Sequence, residues 1–251
     1  AMLLKSSDPN VKLNAAIALL ICRDKRAIPA AKAILTSPMQ DVGYLPQYSP
    51  GRSLMAWKRV PSASVQKKGS ELENAAPIGL TLRERLLQEV LEFDEATFLD
   101  VAAHLFEKGQ RDLIPLLTAL LVNMHTENSL NLLKQLARKA GIPFCRVYAS
   151  LALYKIDHSP EAKEAVLSWV NKENTTALIQ FRNIVPQSDQ PSKLAQFSLS
   201  PHETSRLLLE CYEAIADVHN TEGIDTLLQA IHDGNNKNRY ALAGLLLKAL
   251  Q

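Results

Sequence analysis

The chain has 251 residues, of which 47% are hydrophobic, so it is long and apolar enough to bury a continuous core. Its 28 Lys and Arg residues nearly balance its 26 Asp and Glu residues, and the net charge of +2 excludes the strong basic excess of a dedicated nucleic-acid binder. We also expect no membrane span, because no apolar run reaches the roughly 18 residues that a span requires.

The first predicted elements are two helices within residues 8–35. Ala1 and Met2 precede them, and we interpret these two residues as a cloning remnant. Asp8 is placed to cap the first helix, and Pro9 suits its first position because a helix start does not use that backbone N–H.

This segment resembles a HEAT repeat of the type also found in phycobilisome-lyase-like proteins. Glu213 to Ile231 falls in the same register, whereas Leu20, Arg23 and Ala216 stand where the repeat has small glycine positions. The resemblance implies an all-α, right-handed, armadillo-like α-solenoid of stacked antiparallel helix pairs, with the second helices lining its concave face. The residues that carry it are Asp8, Pro9, Val11, Lys12, Ala15, Ala16, Ala18, Leu19, Asp24, Ala27, Ile28 and Pro29.

Residues 37–80 interrupt the pattern with a stretch rich in Pro, Gly and Ser that is too long for an ordinary inter-helix turn. We interpret it as an insertion. It is either a mobile surface loop or a contact flap laid along the solenoid, in which Leu54, Met55, Trp57 and Val60 form a short amphipathic anchor.

From the insertion to the C-terminus, apolar helix positions recur every 30 or 31 residues. One helix of such a pair cannot bury its apolar stripe alone, whereas stacked pairs can, so the spacing predicts a single solenoid over residues 3–251. Pro186 to Pro191 should shorten a second helix of this array, and residues 239–250 should form a terminal cap helix. The recurring positions are Leu86, Leu117, Tyr148, Leu178, Leu209 and Tyr240.

Helix boundary signals accompany this spacing. Ser159-Pro160 and Ser200-Pro201 repeat the pattern of an oxygen-bearing cap before proline, and Gly141 marks a helix stop. Thr81 with Glu84, and Ser200 with Glu203, have the spacing of capping boxes. We expect no hairpin-forming strands, because no alternating apolar pattern bounded by hairpin turns is visible.

The residues that usually mark catalysis or metal binding are scattered. Cys22, Cys145 and Cys211 lie far apart among apolar residues, which predicts buried free thiols in a reducing compartment, the cytoplasm. His104 and His232 have no ligand spacing, and His125, His158 and His219 recur at predicted turns. His202-Glu203 is similar to the His-Glu pairs that bind two iron ions in some helical-repeat enzymes. Those enzymes use several such pairs, whereas this chain has one. Neither a nucleophile elbow nor a phosphate-binding glycine loop is present, so we predict a non-enzymatic protein without cofactor or metal.

Charge on the predicted second helices alternates in sign. Lys134, Arg138 and Lys139 form a basic cluster, whereas Asp94, Glu95, Asp100 and Glu107 make the preceding second helix acidic. This alternation disfavours a continuous phosphate track, although a nucleic-acid-binding or DNA-glycosylase-like solenoid remains an alternative. A bilin-lyase-like helper that seats a prosthetic group on another protein is a second alternative, based on fold analogy.

We therefore predict an interaction scaffold that binds a protein or peptide along its concave helical surface. Each candidate contact residue is, taken alone, also explained as an ordinary solvated helix position, so the hypothesis concerns the surface they share. The candidates are Asp100, His104, Asn131, Lys134, Arg138, Asp225 and Gln229, with Trp57 in the insertion.

Overall fold

The fold is known from a computed structural model that describes residues 2–36, 42–47, 56–61, 78–110, 113–179, 199 and 201–250. Within them lie eleven α-helices, which confirms that the chain is mainly helical, together with one pair of short strands. The helices are α1 (Pro9–Ile21), α2 (Ala27–Thr36), α3 (Ile78–Phe93), α4 (Glu95–Lys108), α5 (Ile114–Met124), α6 (Glu127–Lys139), α7 (Pro143–Asp157), α8 (Pro160–Glu173), α9 (Pro201–Ala216), α10 (Thr221–Asp233) and α11 (Arg239–Ala249).

The strands are β1 (Val42–Gln47) and β2 (Ala56–Pro61), which pair antiparallel with Val42 opposite Pro61 and Gln47 opposite Ala56. The prediction that no hairpin strands occur is therefore wrong within the insertion. Each strand contains a proline, which hides the strand pattern in the sequence. A two-stranded pair has only edges, however, and edge strands tolerate proline. The helix after the insertion begins at Ile78, before the predicted boundary at residue 80.

The chain divides into two compact units, Ala1–Leu113 and Ile114–Gln251. In the first unit, α1 packs against α2 and α3, α2 contacts α3 and α4, and β1 runs beside α3. Apolar residues that recur at helical spacing on α3 and α4 form the centre of its core. The fully buried members include Leu86, Leu87, Val90, Phe98, Val101 and Leu105.

In the second unit, the odd-numbered helices follow one another: α5 contacts α7, α7 contacts α9, and α9 contacts α11. The even-numbered helices pack beside them, with α6 against α5 and α7, α8 against α7 and α9, and α10 against α9 and α11. Side chains from both sets meet in one core, whose fully buried members include Leu117, Leu121, Leu133, Val170, Leu207, Tyr212 and Leu227.

Four turns between an odd helix and the following even helix share one backbone geometry. Arg23, His125, His158 and His219 have φ of 57°, 49°, 50° and 49°, in the left-handed region that favours glycine. The predicted turn positions of the three histidines are thereby confirmed. Arg23 stands where the resemblance expects glycine, and its backbone adopts the conformation that glycine would supply.

A side-chain oxygen follows each of these left-handed residues and satisfies a backbone N–H near the next helix start. Asp24 Oδ1 accepts from Arg26 N at 3.0 Å, Thr126 Oγ1 from Ser129 N at 3.2 Å, Ser159 Oγ from Ala162 N at 3.3 Å and Asn220 Oδ1 from Gly223 N at 2.7 Å. Hydrogen bonds from the side chain and backbone of Arg26 also lower the pKa of Asp24 to about 2. The turns therefore combine a helix stop with an N-cap.

Several predicted boundaries can now be compared with the structure. Pro9, Pro160 and Pro201 each begin a helix, and Gly141 lies between α6 and α7, as predicted. The predicted N-cap at Thr81 is wrong, because α3 already includes it. Pro77 precedes that helix in the sequence, and proline is common at the start of a helix. The capping-box prediction at Thr81 did not use this signal. Ser200 and residues 186–191 lie outside the described residues.

The 30- to 31-residue spacing places five of its six positions in odd helices. Leu178 is the exception, since residues 177–179 are not helical. Buried Asn238 holds this stretch in place: its side chain donates to Ala177 O at 2.9 Å and accepts from Ile179 N at 2.8 Å. The helix that the spacing predicts at Leu178 is therefore not formed by residues 177–179.

Candidate functional site

Ion pairs join successive even helices. In the second unit, Arg138 Nη2 on α6 lies 2.9 Å from Glu161 Oε2 on α8, and Lys163 Nζ on α8 lies 2.7 Å from Glu222 Oε2 on α10. In the first unit, Lys32 Nζ on α2 lies 2.8 Å from Asp100 Oδ2 on α4. Ion pairs whose two partners are exposed, such as Arg138 with Glu161, add little stability because water screens them. Their value here is geometric, because they establish which helix faces adjoin.

Three predicted contact residues share one face of α6. Asn131, Lys134 and Arg138 are spaced by three and four positions, and all are exposed. The opposite side of the same helix buries Leu133 completely. The two cationic groups therefore project from a helix that is fixed to the core, and one of them is tied to α8 through Glu161.

Two more predicted residues, Asp225 and Gln229, are exposed one turn apart on α10. Near the end of this helix, His232 Nδ1 lies 2.5 Å from Asp233 Oδ1. Hydrogen bonds from His232, and secondarily from Gln229, lower the pKa of Asp233. Gln229 is thus partly engaged within its own helix, whereas Asp225 adds to the negative charge of this face.

Asp100 and His104 lie on α4 in the first unit. Asp100 is exposed and pairs with Lys32, while His104 is half-buried, with its Nδ1 3.5 Å from Glu107 Oε2. The structure thus brings the predicted residues together in groups on α4, α6 and α10. Trp57 lies in β2, and its side chain is outside the described part of the chain.

The sequence reasoning missed the partners that order these helices. Glu161, Lys163 and Glu222 were not predicted as part of the surface, although each sits in the first turn of an even helix. An available signal was opposite charge at similar positions of successive predicted helices. That signal was weak, because pairing depends on which helices adjoin in space.

Two of the three thiols are expected to be unreactive, because they are buried. Cys145 and Cys211 are buried and form no disulfide, as predicted, and burial raises the pKa of Cys145 to about 12 and that of Cys211 further still. The third prediction is wrong, because Cys22 is exposed. It follows the last residue of α1 at the turn, where the apolar stripe of the helix has ended. Among the described residues, no group of three or more His, Cys, Asp and Glu side chains is arranged to hold a metal ion.

A depression lies where α1 and α3 end, and its two arginines are already engaged. Arg23 Nη1 donates to Glu92 O and Phe93 O, both at 2.7 Å, so it caps the C-terminal carbonyls of α3. Arg85 forms an ion pair with the buried carboxylate of Glu89. This arrangement serves helix packing and offers an incoming anion little unpaired positive charge.

No family model matches the chain, and neither a curated protein nor a solved structure matches it. Among the described residues, no helix combines the length and apolar character needed to cross a membrane.

Proposed function

We propose that the chain is a right-handed, HEAT-like α-solenoid that binds a protein or peptide partner along the face of its even helices and catalyses no reaction. The observation that carries this proposal is the row of ion pairs that joins α6 to α8 and α8 to α10. A row of adjoining helices presents an extended surface, which is the usual binding surface of solenoid proteins.

Helix packing in the second unit supports the same arrangement. Each odd helix contacts the next odd helix, and each even helix lies beside its odd neighbours. A chain that stacks helix pairs side by side has this contact pattern, because each pair buries its apolar stripe against the next. The repeated left-handed turns from odd to even helices fit the same unit of construction.

Charge on the proposed surface favours a protein partner over nucleic acid. Lys134, Arg138 and Lys139 make α6 basic. In contrast, α10 carries three acidic residues and no lysine or arginine; the acidic residues are Glu222, Asp225 and Asp233. A polyanion that crossed from α6 to α10 would meet repulsion, and a protein segment of mixed charge would not. We place this activity in the cytoplasm, where cysteines that form no disulfide would remain reduced.

Affinity capture with charge-reversal variants tests the proposal. The variant Lys134→Glu/Arg138→Glu inverts the basic face of α6. The matched control Arg146→Glu/Lys155→Glu makes the same charge change at exposed positions of α7, an odd helix. We expect the wild-type chain and the control to retain a discrete protein partner that the α6 variant loses, as measured by quantitative mass spectrometry.

Other outcomes would point elsewhere. Equal retention by both variants would refute binding along the even helices. Nucleic acid recovered alone and released by salt would favour the nucleic-acid-binding alternative. A chromophore recovered with the captured protein would favour the lyase-like alternative.

A further inference from the structure

Charge along the row formed by α6, α8 and α10 changes sign from one end of the row to the other. The last two turns of α6 carry Lys134, Arg138 and Lys139, and all three are exposed. The first two turns of α10 carry Glu222 and Asp225, which are also exposed. The row therefore has a basic end at α6 and an acidic end at α10.

Ion pairs within the chain fix the order of these charges in space. Arg138 on α6 pairs with Glu161 on α8, and Lys163 on α8 pairs with Glu222 on α10. Glu127, the acidic residue of α6, lies at the other end of that helix, away from Arg138. The basic residues of α6 therefore adjoin one side of α8, and the acidic residues of α10 adjoin another.

Each end of the row also has a charge that the chain itself does not neutralise. Lys134 on α6 and Asp225 on α10 are exposed, and neither forms an ion pair among the described residues. A binding partner can pair with such a charge directly, whereas a charge that is already paired would first have to give up a contact. The two ends of the row are therefore available for charges of opposite sign.

An apolar side chain accompanies the acidic end. Leu228 is 48% exposed and lies three residues after Asp225, on the same face of α10. A lysine or arginine that paired with Asp225 would cover part of this leucine with its aliphatic stem, and an apolar neighbour would cover the rest. The structure describes α6 throughout, and that helix exposes no large hydrophobic side chain, so its end of the row offers charge alone.

We propose that the surface binds an extended partner segment with acidic residues at one end, on α6, and lysine or arginine beside an apolar residue at the other end, on α10. This inference rests on the proposed function and specifies its partner. A uniformly acidic segment would be repelled at α10, and a uniformly basic one at α6. Adjoining helix axes are on the order of 10 Å apart, so about six extended residues of ~3.3 Å each separate the two ends.

A pair of synthetic peptides tests this polarity. The block peptide has a run of glutamates, a neutral spacer of about six residues, and a run of lysines that includes one leucine. The alternating peptide has the same composition, but its glutamates and lysines alternate. We expect the chain to bind the block peptide at least about fivefold more tightly than the alternating peptide. Fluorescence anisotropy at low ionic strength, where charges are least screened, measures both affinities.

Charge changes at exposed positions outside the ion pairs then test the direction of binding. Asn131→Glu/Lys134→Glu on α6 should remove the preference for the block peptide, and so should Asp225→Lys/Gln229→Lys on α10. Combining all four changes keeps the net charge, because three negative charges gained on α6 offset three positive charges gained on α10. The combined variant should regain the preference with the peptide reversed. A photo-crosslinker on the acidic end should therefore label α6 in the wild-type chain and α10 in the combined variant.

The variant Arg146→Glu/Lys155→Glu on α7 is the control for charge change on an odd helix, and it should keep the preference for the block peptide. Equal binding of the two peptides to the wild-type chain, or binding of neither, would overturn the inference. So would an acidic end that labels the same helix in the wild-type chain and the combined variant. The proposed function is judged separately: if a captured protein is lost only by the α6 charge-reversal variant, that function holds even where the peptides show no polarity.

Discussion

At the scale of single residues, the hydroxyl of Tyr212 is an unusual feature of the core. The side chain is fully buried between α9 and its neighbours, and its hydroxyl has no hydrogen-bond partner among the described residues. A buried polar group without a partner costs about 1–3 kcal/mol. We expect Tyr212→Phe to leave the free energy of unfolding unchanged or raise it by about 1 kcal/mol, as measured by urea denaturation.

Tyr212→Ala is the control for that measurement, and it should lower the free energy of unfolding by about 3–5 kcal/mol, because it leaves a cavity in the core. A loss of more than 1 kcal/mol in Tyr212→Phe itself would show that the hydroxyl is satisfied in solution.

The three cysteines should differ sharply in reactivity. Cys22 is exposed, whereas Cys145 and Cys211 are buried with raised pKa values, and the thiolate is the reactive form. We expect a thiol reagent to label one cysteine in the native chain and three in denaturant. Cys22→Ser should abolish the native labelling, and rapid labelling that remains in this variant would contradict the assignment.

Side-chain exposure was predictable wherever one helix determines it. The exposed positions of Asn131 and Lys134 and the burial of Leu133 follow from the periodicity of a single amphipathic helix. Cys22 was misjudged because its exposure depends on where α1 ends. The engagement of Asp100 by Lys32 was also missed, because that ion pair joins residues 68 positions apart.

At the scale of elements, the left-handed turns permit a test by substitution. His125 has a φ of 49°, a conformation that disfavours residues with a Cβ by about 1–2 kcal/mol. His125→Gly should therefore be more stable than His125→Ala by about 1 kcal/mol, as measured by thermal or urea unfolding. In an exposed helix the preference reverses, and alanine is favoured over glycine by a similar amount. If alanine is also favoured at position 125, the turn does not have this geometry in solution.

Gly234 at the end of α10 tests the buried asparagine network. A Cβ atom there would lie 2.1 Å from Asn174 Nδ2, a group that donates to Ala230 O at 3.0 Å. Gly234→Ala should therefore displace Asn174 and cost about 1–3 kcal/mol, the penalty for leaving a buried polar group unsatisfied. Gly141→Ala is the matched control and should be close to neutral, because nothing lies within 4 Å of its added Cβ.

Helices were more predictable than the other elements, for a physical reason. Proline at the first helical position and polar caps are local signals, and they located Pro9, Pro160 and Pro201 correctly. The strands β1 and β2 depend on pairing between two segments, and their prolines concealed the pattern. The non-helical path at Leu178 depends on Asn238, which lies 60 residues further along the chain.

At the scale of the whole molecule, cohesion within the second unit can be measured through Leu133. This residue is fully buried on α6, so Leu133→Ala should cost about 2–5 kcal/mol. Hydrogen exchange should then accelerate across the described residues from 114 to 250, because they share one core. The neighbouring exposed residue supplies the control: Lys134→Ala should change stability by no more than about 0.5 kcal/mol. A change as small as that in Leu133→Ala would show that α6 packs in a different register.

The asparagine network also constrains the order of events during synthesis. Asn174 Oδ1 accepts from Asn238 Nδ2 at 2.8 Å, and its backbone carbonyl accepts from Asn235 N, so both acceptors are satisfied by residues more than 60 positions later. Until the ribosome has released those residues, both oxygens must remain hydrated, and the C-terminal end of α8 cannot reach its final packing. A nascent chain that stops before residue 235 therefore exposes the incompletely packed C-terminal end of α8, which is a surface for chaperone binding.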